Sequence, residues 1–404
     1  MQGVPKINIE DFKYELPDER IAQYPVRDRD SSKLLLYNKG RISEDVFRNI
    51  ARYLPQGSLL VFNNTKVIRA RLLFRKVTGA PIEIFCLEPL LPADYENSFG
   101  SKNPVEWKCI IGNLRKWKSG TIGLKFCYRD KECELEAEKV RPEGEAWRIR
   151  FSWNNEMMTF SEVTEAAGHI PLPPYVKRED EQEDNIRYQT VYSKIRGSVA
   201  APTAGLHFTD DVLSSIKKNG IYRTDLTLHI GAGTFKPVKG NDISKHEMHC
   251  EHFFVTRRLI EELILFKGKT IAVGTTSVRT LESLYWLGAG LTSEPNNDAE
   301  LYMDQWYPYI NDSNISFTES MQALLYHMKR KGTDLLHGST TLMIVPGYRF
   351  RVINGMVTNF HQPGSTLLLL VAAYSGSRWK EIYNYAMMNR FRFLSYGDSS
   401  LLIE

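Results

Sequence analysis

Three glycine-rich turns stand where this sequence could do chemistry: LHIGAGTF (Leu228 to Phe235), IAVGTTSVRTLES (Ile271 to Ser283) and TNFHQPGST (Thr358 to Thr366). Each follows a strand-like apolar run, and ligands of open α/β sheets bind beyond the carboxyl ends of strands. Glycine admits a ligand close to the backbone, and the first amides of a helix hold anions. After IAVG, Thr275, Thr276 and Ser277 supply cap hydroxyls and free amides, with Arg279 and Glu282 one turn further in. A carboxylate or phosphate fits such a place. Singly each turn is also a plain tight connection, for GAG is not a full dinucleotide fingerprint and no GxxxxGK[ST] occurs. Two histidines flank these turns, His229 before GAG and His361 before a Pro-Gly pair. A third, His207, closes the uncharged run VAAPTAGLHFT (Val199 to Thr209).

KHEMHCEHFF, with His246, His249, Cys250, Glu251 and His252, invites a metal reading. His-x-x-His lacks the i, i+4 spacing of a helical zinc site and no remote fourth ligand is evident, so no metal is expected. Alternatively Glu247, His249 and Glu251 alternate on one face of a strand and meet a polar substrate. The five cysteines show no CxxC spacing and read as reduced thiols. Between Lys66 and Lys118 ten Lys/Arg face five Asp/Glu. Such a local excess is either a solvated face or a phosphate-tracking surface. The amino-terminal stretch has no apolar signal region and the longest apolar run, TLLLLVAAY, is too short to span a bilayer. A cytoplasmic protein is expected.

With 404 residues, two domains are expected. SSKLLLYNKGRISE reads as a hairpin and Asp45–Leu54 as a helix stopped by Pro55 and Gly57. From 69 to 151, six short alternating runs predict a small β-barrel inserted as a second domain. Around it, 1–68 and 152–404 form a discontinuous main domain. There strands alternate with helices at 209–220, 257–268 and 275–288, which predicts an α/β fold with a parallel-type sheet. HIPLPPYVKR is barred from regular structure by its prolines. Leu291 to Asn314 reads as an irregular insertion, followed by a last unit that takes TTLMIVPG as a strand and ends in a helix near Trp379–Asn389.

Taken together, FKYELPDERIAQYP, LLVFNNTKVIRARL, GHIPLPPYVKRE, RYQTVYSKIRGSVAAPTAGLHFT, LTLHIGAGTFKPV, HEMHCEHF, IAVGTTSVRTLES, VTNFHQPGSTLLLLVAAYSG and FRFLSYGDSSLLI resemble the S-adenosylmethionine:tRNA ribosyltransferase-isomerases of queuosine biosynthesis. The resemblance runs through most of the chain. It implies an α/β main domain with an inserted β-barrel. It also implies transfer and isomerisation of the ribosyl part of S-adenosylmethionine onto 7-aminomethyl-7-deazaguanine at the tRNA wobble position. Epoxyqueuosine forms, adenine and methionine leave, and no metal or further cofactor is implied. A base must take a proton from the carbon next to the sulfonium, and an acid must assist adenine. His207, His229 and His361 are the candidates, unranked, since a neutral imidazole suits either task. Thr203, Gly205, Gly231, Gly233, Thr234, Thr275, Thr276, Ser277 and Arg279 become candidate substrate contacts, the last four for the methionine carboxylate. Asp398 is a candidate for sugar or base recognition. Lys66, Arg69, Arg71, Arg115, Lys116 and Lys118 become candidate contacts to the anticodon stem-loop. A monomer is expected.

The sequence departs from the family pattern at Gly364, where a lysine is usual, in the proline-free IIGNLRKWKSG, and in the 291–314 insertion. A paralogue with another acceptor, or a non-catalytic RNA-binding protein on the same scaffold, are the competing readings.

Overall fold

The computed structural model describes residues 3–403 apart from 77, 78, 103, 232–237, 239 and 297. Among the described residues, ten strands form the larger sheet. Across it run Tyr302–Met303, Leu335–Thr340, Glu251–Thr256, Tyr222–Leu228, Leu59–Asn63, Thr270–Val273, Gly355–Asn359, Ser399–Ile403, Lys33–Asn38 and Arg41–Val46. The central four, from Tyr222–Leu228 to Gly355–Asn359, are mutually parallel. Leu59–Asn63 (LLVFN) is buried at every position, as befits a strand covered on both faces.

The flanks bring in antiparallel pairs, so the sheet is mixed where a parallel-type one was expected. Glu251–Thr256 opposes both its neighbours. Ser399–Ile403 is antiparallel to Gly355–Asn359 and parallel to Lys33–Asn38. The hairpin read from KLLLYNKGRISEDV adds the last strand, turning through Lys39 and Gly40 with φ of 47° and 83°. Helices 210–218, 257–265 and 275–293 fall where the pattern placed them. Two of them start from threonine caps, Thr209 and Thr256, each accepting an amide three residues on. TLLLLVAAY lies within Thr366–Ser375, a core helix, and no helix among the described residues is long and apolar enough to cross a membrane.

Seven strands form a second, wholly antiparallel sheet: Gly168–His169, Arg71–Arg75, Pro81–Leu91, Val105–Gly112, Ala146–Trp153, Lys131–Glu143 and Ile122–Tyr128. It curls until Ile122–Tyr128 packs back against Arg71–Arg75. All six expected strands between 69 and 151 are present; the two-residue Gly168–His169 is an addition at the edge of the proline-rich segment. Trp107, Trp117, Phe151 and Phe160 fill a core separate from that of the larger sheet. All five cysteines are free thiols.

Three local expectations need correction. Residues 45–54 continue the strand to Val46 and then form a 3-10 helix, Phe47–Arg52, burying Phe47 and Ile50. Asp45, which accepts from Val46 N and Asn49 Nδ2, ties the strand end to this turn. The strand expected at TTLMIVPG lies earlier, at Leu335–Thr340. Glu247 and His249 precede the strand at Glu251 and share no strand face with it.

Candidate active site

Two parallel neighbours in the sheet, Thr270–Val273 and Gly355–Asn359, end side by side and set the site. The first passes through Gly274, at φ 92°, into the helix Thr275–Ser293. That left-handed region favours glycine, and Gly274 N donates to Val357 O. The second runs on into His361 and Gln362. Facing both is the 199–205 segment, tied in by Val199 N to Ile230 O. The three loops border a cleft lined by Ala200 to Ala204, Ile230, Gly274 to Thr276, Thr358 to Gln362 and Ser365. Thr203, Thr275, Thr276 and His361 are therefore brought together as the sequence suggested.

The three histidines do not share this space. His361 lines the cleft. Its Nε2 meets Thr358 Oγ1 at 2.9 Å, its N–H donates to Tyr383 Oη, and its carbonyl accepts from Tyr14 Oη. Burial pushes its pKa down to about 3, so the ring is neutral at physiological pH. His207 lies behind the wall, packed on Phe47. Its Nδ1 meets Ser32 Oγ at 2.8 Å and its Nε2 faces Asn359 Oδ1 at 3.4 Å. Asn359 Nδ2 donates to Leu394 O, so its oxygen faces the ring. Burial lowers its pKa to about 4. His229 is held by Thr65 Oγ1 at 2.9 Å and packs at a tilt against Tyr95 of the second sheet's unit. Burial likewise lowers it to about 4.

None of the other candidate substrate residues that the structure describes lines the cleft. Gly205 is buried against Tyr192, where a Cβ would meet Oη at 1.9 Å. Ser277 Oγ donates back to Val273 O at the end of the preceding strand. Gly231 lies against His249, and Gly233 and Thr234 fall outside the described residues. Asp398 does not line the cleft. Its carboxylate accepts from Lys33 N, Arg392 N and Arg392 Nη2, clamping the 392–398 turn to the first strand. Arg279 is buried and paired with Glu251 at 3.0 Å. Gly364, at φ 65°, packs near Ile9 and Lys13. Among the described residues, no group of three His, Cys, Asp or Glu could hold a metal.

The basic strip separates in the same way. Arg69 and Arg71 are paired with Glu165 and Glu83, and half-buried Lys66 lies on a short strand beside Ile195–Ser198. Arg115, Lys116 and Lys118 are exposed around one turn of the second sheet. Lys76 and Lys139 are drawn up to that turn by bonds to the carbonyls of Lys116, Trp117 and Lys118.

Sequence reasoning missed Asn359, Tyr175 and Ser395. Tyr175 comes from the proline-rich segment, and its Oη meets Ser395 Oγ at 2.6 Å on the cleft wall. Asn359 stood inside TNFHQPGST, where a buried polar residue ending a strand was the available signal.

An α/β sheet whose strand ends gather a neutral histidine, a helix start and a small-residue wall has the arrangement of a small-molecule site. A profile of the queuosine biosynthesis protein family matches residues 9–402, and the chain belongs to that family. It is 39% identical to the S-adenosylmethionine:tRNA ribosyltransferase-isomerase of Thermoanaerobacter sp., over 97% of this chain and 99% of that one. Proteins of the same name from Syntrophomonas wolfei and Thermosipho melanesiensis are 38% and 36% identical, covering 97% and 98% of this chain and 96% and 100% of theirs. A crystal structure of S-adenosylmethionine tRNA ribosyltransferase from Thermotoga maritima is 28% identical, with a TM-score of 0.45, covering 97% of this chain and 100% of that one.

Proposed function

We propose that this chain transfers and isomerises the ribosyl moiety of S-adenosylmethionine onto 7-aminomethyl-7-deazaguanine at the wobble position of tRNA. Epoxyqueuosine is the product, and adenine and methionine are released. The observation that carries this reading is the meeting of 199–205, 274–276 and 358–365 around one cleft with His361 in its lining. Its imidazole is neutral and so free to accept the proton next to the sulfonium, although burial makes it a weak base. Once protonated in a site that disfavours its charge, it is a strong acid, suited to pass that proton to departing adenine. His207 acts through Asn359, fixing a cleft amide, and His229 joins the strand end to the second sheet. Thr275 and Thr276 offer the anion-binding helix start.

On this reading residues 69–151 are an inserted β-barrel domain within a discontinuous α/β catalytic domain of 1–68 and 152–404. Arg115, Lys116 and Lys118 meet phosphates of the anticodon stem-loop. The enzyme works as a cytoplasmic monomer with S-adenosylmethionine as co-substrate and no other cofactor. The test is incubation with S-adenosylmethionine and tRNA bearing the aminomethyl-deazaguanine, followed by nucleoside mass spectrometry. Epoxyqueuosine is expected from the native protein and none from His361→Ala. Folded, nucleoside-binding protein that yields no epoxyqueuosine overturns the reading.

A further inference from the structure

Arg279 is a buried cation with three of its five N–H donors, those on Nε and Nη2, unused. Its side chain is 4% exposed, and Nη1 lies 3.0 Å from Oε2 of Glu251, which is wholly buried. Glu251 Oε1 in turn meets Nε2 of His249 at 3.0 Å. Nε and Nη2 of Arg279 are buried with no hydrogen-bond partner. Unmet donors on a buried charge are costly, and these two form one edge of the guanidinium fork, the shape that takes a carboxylate through two parallel bonds.

The cluster adjoins the cleft from two sides. Thr275 and Thr276 line the cleft, and Arg279 follows them by four and three residues on the same helix, hence on the same face. Across from them Ile230 lines the cleft, and its neighbour Gly231 lies against His249, where a Cβ would come within 3.3 Å of Cδ2.

We propose that the Nε–Nη2 edge of Arg279, oriented by Glu251 and His249, is the subsite for the carboxylate of the amino-acid tail of the sulfonium nucleoside. The assignment rests on the transferase reading and deepens it. Glu251 is a positioning residue: it holds one side of the guanidinium so that the other meets the ligand. An RNA phosphate carries the same kind of oxyanion. The depth of the guanidinium favours a small terminal carboxylate over a phosphodiester within a chain.

The test is calorimetric titration of the full-length protein, without RNA, with S-adenosylmethionine and with its decarboxylated analogue. Loss of the carboxylate should weaken binding about 10- to 100-fold, as for removal of a charge-assisted pair. Arg279→Lys should weaken S-adenosylmethionine by a similar factor and leave the analogue within about twofold, and Glu251→Gln should shift the same way by less. The wild-type comparison stands even where a variant fails to fold. Equal binding of both nucleosides by the wild type overturns the subsite while leaving the transferase reading intact. So does an Arg279→Lys protein that binds S-adenosylmethionine normally but an anticodon stem-loop RNA more weakly. Failure of both nucleosides to bind overturns the transferase reading and the subsite with it.

Discussion

Lowering the pH from 7.5 to 5 should cost the folded protein about 6 kcal/mol through His207, His229 and His361 alone. Burial lowers the first two from 6.5 to about 4 and the third to about 3. The unfolded chain therefore binds protons more readily than the folded one. The stability these groups contribute is complete above 6.5 and is lost as pH falls toward 4 and 3. At pH 5 each ring is charged in the unfolded chain and still neutral when folded. Some 1.5 pH units at about 1.4 kcal/mol per unit gives about 2 kcal/mol each. Glu282, whose carboxyl burial pushes up, acts in the opposite sense. Asp184, held down by Arg178 and backbone donors against the effect of burial, loses its contribution only below this window. The assay is urea unfolding at pH 7.5, 6.5, 5.5 and 5, followed by tryptophan fluorescence and circular dichroism. His207→Gln offers a donor toward Asn359 without titrating, so its pH dependence should be shallower by about 2 kcal/mol. A wild-type stability flat within about 1 kcal/mol, or a His207→Gln protein with the full wild-type slope, would refute the reasoning.

Gly205→Ala should destabilise by about 1–3 kcal/mol, because its Cβ collides with Tyr192 Oη, while the affinity for S-adenosylmethionine, measured by calorimetry, stays within about twofold. Asp398→Asn turns an amide toward backbone donors at Lys33 or Arg392 and should cost about 1–3 kcal/mol in urea unfolding, again with little change in nucleoside affinity. Replacing Arg115, Lys116 and Lys118 together by Ala should weaken tRNA binding and flatten its salt dependence by up to about 2.7 in log–log slope. Arg71→Ala, already neutralised by Glu83, should leave that slope unchanged in a filter-binding titration.

Much of this architecture is legible in the residues. The alternation from RARLLFRKV to AWRIRFSW gave every strand of the second sheet between 69 and 151, because one buried face imposes a period of two. The capped helices after Thr209 and Thr256 were equally plain. Less visible was the helix Phe317–Lys331, although Ser316 and Glu319 form a capping box and Gly332 closes it at φ 65°. Its apolar positions lie among polar ones next to the irregular insertion. At the site, glycine turns at strand ends marked the cleft, since neighbouring parallel strands must deliver their loops to one edge. Which histidine enters it was not readable. His207, His229 and His361 stand in similar local company, and only tertiary packing puts Phe47 over one, Tyr95 over another and open space beside the third. The basic strip misled in part for a similar reason: charge along the chain does not reveal which carboxylate lies across the sheet.

The place of Ser399–Ile403 in the larger sheet has a consequence for how the chain assembles. It lies between Gly355–Asn359 and Lys33–Asn38, so the early hairpin meets the rest of the sheet through a strand made more than 350 residues later. During synthesis that hairpin leaves the ribosome with its inner edge unpaired and stays so until Ser399–Ile403 has been made. The contact is about as distant in sequence as this chain allows, which slows the final docking and prolongs exposure of an adhesive edge. The wait falls on a segment holding Ser32, the hydroxyl against which His207 is set, so the support behind the cleft wall is completed only when Ser399–Ile403 docks.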